Sequence, residues 1–269
     1  MGCFIFWKSL RLRFSLVNGT IIQEYNNADN LSFVVVNLAE EDNAISQMEL
    51  EADRVQATAN LEQGALVRFV LFNLKQGDRL LIVAHHLIID TVSWRLLLED
   101  LSTGYEQACA DILIKFPAKT DSYQQWAKAL QKYSTEQALQ ARDYWQQLAQ
   151  AKVNNLLIDI NTNESNLVAD SHTLEFSLSQ EQTNSLLTDV HRVYHTEIND
   201  ILLASVAIAL YAWSGNENFL IDLEGHGRVD DIDGIDVSRT VGWFTSIYPV
   251  LLTIAPGADL PYQIKVSAQ

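Results

Sequence analysis

The sequence predicts an α/β protein of two packed units. Strand-length and helix-length apolar patterns alternate along 269 residues without a short fixed repeat, and 48% hydrophobic content fills one large core or two modest ones. An Asn-rich connection, Asn154 to Asn166, marks the expected boundary, dividing the chain into residues 1–160 and 161–269.

The elements follow in chain order. Two extended runs, Leu12 to Val17 and Thr20 to Gln23, are joined by Asn18-Gly19, whose tolerance of positive φ suits a two-residue hairpin. Leu31 to Leu38 reads as a strand and Ile45 to Ala57 as an amphipathic helix. Ala65 to Phe72 and Arg79 to His86 read as strands about the turn Lys75 to Asp78. Trp94, Leu97, Leu98, Leu101 and Tyr105 recur at helical spacing and give a helix one apolar stripe. Helices are expected over Tyr123 to Lys132 and Thr135 to Ala151. Past the connection, a strand is expected at Ser171 to Leu178, and Ser179 with Gln182 has capping-box spacing for a helix running to Tyr194. Ile198 to Trp213 is apolar nearly all round, as a fully buried helix is, and Ser214-Gly215 stops it. Phe219 to Leu223 and Ser246 to Ile254 read as strands on either side of an acidic loop.

Composition narrows the function classes. A formal net charge of -16 argues against nucleic acid, whose binding draws on clustered Lys and Arg. Cys3 and Cys109 form no CxxC pair, so neither a disulfide framework nor a cysteine zinc site is expected, and a reducing cytoplasm fits. The opening Met1 to Phe6 lacks the Ser or Thr of a myristoylation signal, and its apolar run breaks at Lys8, too short to span a bilayer. A soluble, cytoplasmic protein is expected.

Three segments hold the residue types that chemistry needs. The first, His85-His86-Leu87-Ile88-Ile89-Asp90-Thr91-Val92-Ser93-Trp94, sits where a strand hands over to a helix. Neighbouring strand residues point to opposite faces, so His85 and His86 do not both reach one small ligand: either one of them is structural, or both are hydrogen-bonded core groups. Asp90 has the position of an N-cap for the following helix. The opposed faces also disfavour a metal held by His85, His86, Asp90 and His226, and no metal site is expected. The second segment, Glu224-Gly225-His226-Gly227-Arg228, ends a strand in a loop whose glycines permit close approach of another chain. A tight turn with solvated side chains explains it equally well. The acidic run Asp230, Asp231, Asp233 and Asp236 lacks the order of a calcium loop and reads as solvated. The third, Asp236-Val237-Ser238-Arg239-Thr240-Val241-Gly242-Trp243-Phe244-Thr245, turns from polar to aromatic. Its aromatics suit either a core or the wall of a channel.

In this order, the three segments resemble the epimerization domains of nonribosomal peptide synthetases. Those domains place a His-His-x-x-x-Asp motif before a Glu-Gly-His-Gly-Arg loop and an Asp-x-Ser-Arg-Thr-Val-Gly-Trp-Phe-Thr segment. The first motif is common to the wider condensation superfamily; the other two are similar to the epimerization branch. The resemblance implies two chloramphenicol-acetyltransferase-like subdomains forming a V-shaped pseudo-dimer, with both ends incomplete, because the family's Gln-x-Trp opening and late Phe-Asn-Tyr-Leu-Gly motif are missing. It implies a tunnel at the junction, with His86 and Glu224 facing each other as the catalytic pair. His85, Asp90 and Arg228 hold the site in shape, Asp90 by pairing with Arg228. Ser93, Trp94, His226, Trp243 and Phe244 are candidates for lining the substrate channel. Thr91 departs from the glycine that usually follows the aspartate.

The implied reaction is epimerization of the α-carbon of an L-aminoacyl or peptidyl thioester, by proton removal and return. No tightly bound cofactor is implied; the substrate arrives on the 4′-phosphopantetheine arm of a peptidyl carrier protein, among neighbouring synthetase domains. A condensation domain, which joins two carrier-bound groups and has no need of Glu224, stays open, as does a non-catalytic fragment.

Overall fold

The structure is a computed structural model that describes residues 7–25, 32–62, 66–137, 140–156, 167–190, 192, 196–228, 232 and 234–267. The chain divides into two compact units. The first comprises residues 1–138 and 225–246, the second residues 139–224 and 247–269. A single cut near residue 160 is therefore corrected. The stretch 225–246 leaves the second unit because its side chains complete a core and a polar network in the first, through Val237, Val241, Phe244 and Arg228.

The first unit opens with a hairpin, β1 (Leu12–Val17) against β2 (Thr20–Tyr25), turned by Asn18 and Gly19 at φ 52° and 79°. This is the positive-φ pair that a two-residue turn demands. A three-stranded sheet follows, ordered β3 (Ser32–Asn37), β4 (Val67–Asn73) and β5 (Arg79–Ala84). β3 and β4 run parallel, which requires a crossover, and α1 (Ala44–Gln56) supplies it. β4 is central and its two faces serve two cores. Val67 and Phe69 join Leu12, Ile88, Ile89, Leu96 and Leu97, whereas Val70 and Phe72 join Leu38 and Val55. Leu96 and Leu97 come from α2 (Thr91–Cys109), and α3 (Tyr123–Gln137) contributes Trp126 to a third core with Ile232, Val237 and Phe244.

The second unit holds α4 (Arg142–Gln150), α5 (Gln180–Ser185), α6 (Ile198–Ser214), the paired strands β6 (Asn218–Gly225) and β7 (Ser246–Thr253), and α7 (Leu260–Ser267). Ala207, Phe219, Leu252 and Ile254 form its core. The capping box is present: the Gln182 N–H donates to Ser179 Oγ at 3.2 Å, and the Ser179 N–H donates to Gln182 Oε1 at 2.9 Å. Gly215 ends α6 at φ 71°.

Several expectations differ from what is observed. α3 continues to Gln137, and α4 begins only at Arg142. α6 buries Ile201, Ala204 and Ala207 on one stripe while Leu202, Val206 and Trp213 are exposed, so all-round apolarity does not mean all-round burial here. Residues 171–178 form no strand; Leu174 and Phe176 are 92% and 93% exposed, and an alternating pattern becomes a strand only where a neighbour hydrogen-bonds it. α7 has no counterpart among the elements that the sequence predicts. The readings of Met1 to Phe6, most of the Asn-rich connection and part of the acidic loop lie outside the described residues.

Candidate functional site

β5 ends at Ala84, so the two histidines lie beyond the end of the strand. The backbone N–H of His85 donates to Leu66 O at 2.9 Å, and its Nδ1 accepts from the Leu87 N–H at 3.2 Å. His85 thereby caps a short 3-10 turn, His86–Ile88. Ile88 and Ile89 anchor that turn in the core, which leaves His86 exposed with its ring edge-on to Trp243, centroids 5.5 Å apart. An imidazole held this way can take or give a proton.

Asp90 is buried and fully engaged. Its Oδ1 accepts from the Ser93 N–H at 2.7 Å, the capping bond of α2, and from Arg228 Nη2 at 3.2 Å. Its Oδ2 accepts from the Phe244 N–H at 3.1 Å. One carboxylate thus ties the His86 turn to both later motifs. Burial pulls the Arg228 guanidinium below its ordinary pKa, while Asp90 opposes that shift. Arg228 Nη1 also donates to the carbonyls of Val237 and Thr240, both at 2.8 Å, and its Cζ lies 3.9 Å from the Phe244 ring centroid. Gly227, at φ 63°, allows this approach: a Cβ there would stand 1.7 Å from the Phe244 carbonyl oxygen.

Behind this layer, Arg239 Nη2 donates to the buried Asp100 at 2.5 Å. Burial raises the Asp100 carboxyl above its ordinary range, against the pull of Arg239. Thr240 Oγ1 donates to the Asp121 carbonyl, and the Asp236 N–H donates to Asp121 Oδ2 at 2.9 Å. The Tyr123 hydroxyl donates to the Trp243 carbonyl at 2.7 Å, and its ring meets Phe244 edge-on. Sequence reasoning missed Asp100, Asp121 and Tyr123. Their partners are more than a hundred positions away, and no local motif announces them.

Two channel candidates are corrected. Ser93 is wholly buried, where its Oγ donates to Gly242 O at 2.9 Å and accepts from the Gly242 N–H at 3.1 Å and Arg228 Nη2 at 2.8 Å. Phe244 is a core residue packed on Tyr123 and Trp126. Both lack the exposed surface that a lining residue needs. Trp94 is half-buried against the first core. Trp243 is 39% exposed. Exposed His226 accepts from the Arg228 N–H through Nδ1 at 3.1 Å. Glu224 is exposed near the end of β6 and belongs to the second unit. Among the described residues no three His, Cys, Asp or Glu side chains are grouped to hold a metal ion, and no helix is long and apolar enough to cross a membrane.

The family model of the condensation domain matches residues 7–269. Surfactin synthase subunit 2 of Bacillus subtilis (strain 168) is 41% identical over 262 residues, which is 96% of this chain and 7% of that protein. The crystal structure of the epimerization domain from the third module of tyrocidine synthetase B is 39% identical with a TM-score of 0.89, covering 96% of this chain and 60% of that one. The first condensation domain of the calcium-dependent antibiotic synthetase, at 19% identity and TM-score 0.70, covers 97% of this chain and 60% of its own and shares the fold. The chain thus spans less than a tenth of the length of the surfactin protein and three fifths of those solved chains. With its two later motifs folded onto Asp90 in the first unit, and with these relatives, the chain belongs to the condensation-domain family of nonribosomal peptide synthetases and has that family's chloramphenicol-acetyltransferase-like fold.

Proposed function

We propose that the chain epimerizes the α-carbon of an L-aminoacyl or peptidyl thioester presented on the phosphopantetheine arm of a carrier protein. The observation that carries this reading is the contrast in sequence: 39% identity to an epimerization domain against 19% to a condensation domain, at similar coverage of this chain. Inversion removes a proton to give a planar enolate and returns one to the opposite face, so two acid-base groups are required. His86 and Glu224 are assigned to that work, each worth about 10²–10⁴-fold if removed. Asp90, His85 and Arg228 are positioning residues, acting through the turn that holds His86.

Condensation is the second reading, favoured by the family model itself. One assay separates the two. An L-aminoacyl carrier protein is incubated with the chain and the released amino acid is analysed on a chiral column, beside the Glu224→Gln and His86→Ala variants. Epimerization gives mixed D and L product with the parent and only L with either variant. Condensation gives no D product alone, and a dipeptide once a second loaded carrier protein is added. Full activity in either variant overturns the assignment of that residue.

A further inference from the structure

We propose that Tyr123 is a positioning residue for the proton transfer assigned to His86: its hydroxyl and ring set the place of Trp243, and the Trp243 ring sets the orientation of the imidazole. The inference rests on the role given to His86 above, and it names a residue that lies in none of the three motifs.

The chain of contacts is short. The Tyr123 hydroxyl donates to the Trp243 carbonyl at 2.7 Å, and the Trp243 ring meets the His86 ring edge-on, centroids 5.5 Å apart. His86 and Trp243 are both exposed, whereas Ile88, Val241, Gly242 and Phe244 beside them in sequence are buried. Exposed side chains change rotamer within nanoseconds unless their surroundings restrict them. What fixes the Trp243 backbone therefore decides where its ring stands against the imidazole.

The residues on either side of Trp243 are held by the first motif: Ser93 Oγ bonds both polar groups of the Gly242 peptide, and Asp90 accepts the Phe244 N–H. Trp243 itself is held through its carbonyl by Tyr123, which comes from α3. The Tyr123 ring also fills the space beside Gly242, where a Cβ would stand 2.5 Å from a ring carbon, and it meets Phe244 edge-on with centroids 5.0 Å apart. The chain just before α3 is fixed on the same segment, since the Asp121 N–H donates to Asp236 O at 2.8 Å. Burial raises the Tyr123 phenol and the Asp90 charge adds to the shift, so its hydroxyl stays a neutral donor at physiological pH. A ring alone serves the core; the hydroxyl is aimed at the exposed residue that touches His86.

The test uses the full chain and Tyr123→Phe, which keeps the ring and removes the hydroxyl. The first readout needs no turnover. The His86 Cε1–H resonance, identified by its loss in His86→Ala, should show cross-relaxation with Trp243 ring protons in the parent and should shift in Tyr123→Phe, because the ring current moves with the indole. Gly242→Ala, whose new Cβ displaces the Tyr123 ring, should shift the same resonance with the hydroxyl still present. The second readout is the chiral assay on an L-aminoacyl carrier protein. There kcat for D product should fall about 3- to 10-fold in Tyr123→Phe, the effect of one lost hydrogen bond, while KM stays at the parent value. A Tyr123 that only supports the fold would lower the melting temperature and leave the resonance of the folded chain where it was. The proposal is overturned if the parent shows no cross-relaxation, if the resonance is unmoved in folded Tyr123→Phe, or if kcat is unchanged while the parent is active. A parent that makes no D product defeats the proposed reaction instead, and the resonance then decides the role of Tyr123 by itself.

Discussion

Asp90 and Arg228, 138 positions apart, meet at 3.2 Å with 2% and 7% of their side chains exposed. Removing one partner strands the other charge in the interior, which typically costs ~3–5 kcal/mol. Asp90→Ala and Arg228→Ala should each lose about that much in urea denaturation, and the double variant should lose less than the sum. Additive losses would mean that the two charges act independently.

Ser93 bridges Arg228 and both polar groups of the Gly242 peptide. Ser93→Ala leaves those groups buried and short of a partner, at about 1–3 kcal/mol. Ser93→Ala should also bring the 242–244 stretch into faster amide exchange, measured by hydrogen-deuterium exchange.

Gly227 and Gly77 both have positive φ, but only Gly227 has an obstacle beside it. Gly77→Ala, with open space around the new Cβ, should cost about 1–2 kcal/mol in backbone strain alone. Gly227→Ala should cost clearly more, because the Phe244 carbonyl must move, and it should shift the fluorescence of Trp243. Equal losses at the two sites would show that the loop gives way freely.

Asp100 and Asp236 should give opposite slopes of stability against pH. Burial holds the folded Asp100 carboxyl above the ordinary carboxylate value of about 3.9. Between that value and the raised one, the folded chain keeps a proton that the unfolded chain has lost, so the stability contributed by Asp100 falls as pH rises. Asp236 is held below the ordinary value by hydrogen bonds from Ser238. Its contribution is present above the ordinary value and is lost as pH falls through the lowered one. Denaturation of the parent, Asp100→Asn and Asp236→Asn over roughly pH 3 to 6 checks both signs.

Trp243→Ala removes the ring that meets His86. If His86 works as proposed, D-product formation should drop about 10- to 100-fold as the imidazole loses its fixed orientation. The folded state should change little, since Trp243 is 39% exposed. A large loss of stability with unchanged turnover would place Trp243 in the core's service instead.

Much of this arrangement is legible from local signals. Asn18-Gly19 announces a hairpin, Asp90 a helix start, and Ser179 with Gln182 a capping box, because each is a short-range hydrogen-bonding or φ requirement written in adjacent residues. The three motifs are readable as a set, and the family resemblance they carry pairs Asp90 with Arg228, as observed. What stays hidden depends on distant partners. Tyr123 looks like any helix-opening aromatic until its hydroxyl finds Trp243, and Ser93 and Phe244 look like channel residues until Gly242 and Trp126 enclose them. Residues 171–178 carry a strand's alternation, but pattern alone supplies no neighbour.

Neither unit is a continuous stretch of chain, because residues 225–246 belong with residues 1–138. This matters for anyone recombining synthetases. A graft that joins one parent's residues 1–138 to another parent's remainder matches Asp90, Ser93 and Tyr123 from one lineage with Arg228, Gly242 and Trp243 from the other. Compatible exchange should move both pieces together, with splice points beside residues 138, 225 and 246, and a library built that way should yield more folded chimeras than one cut once.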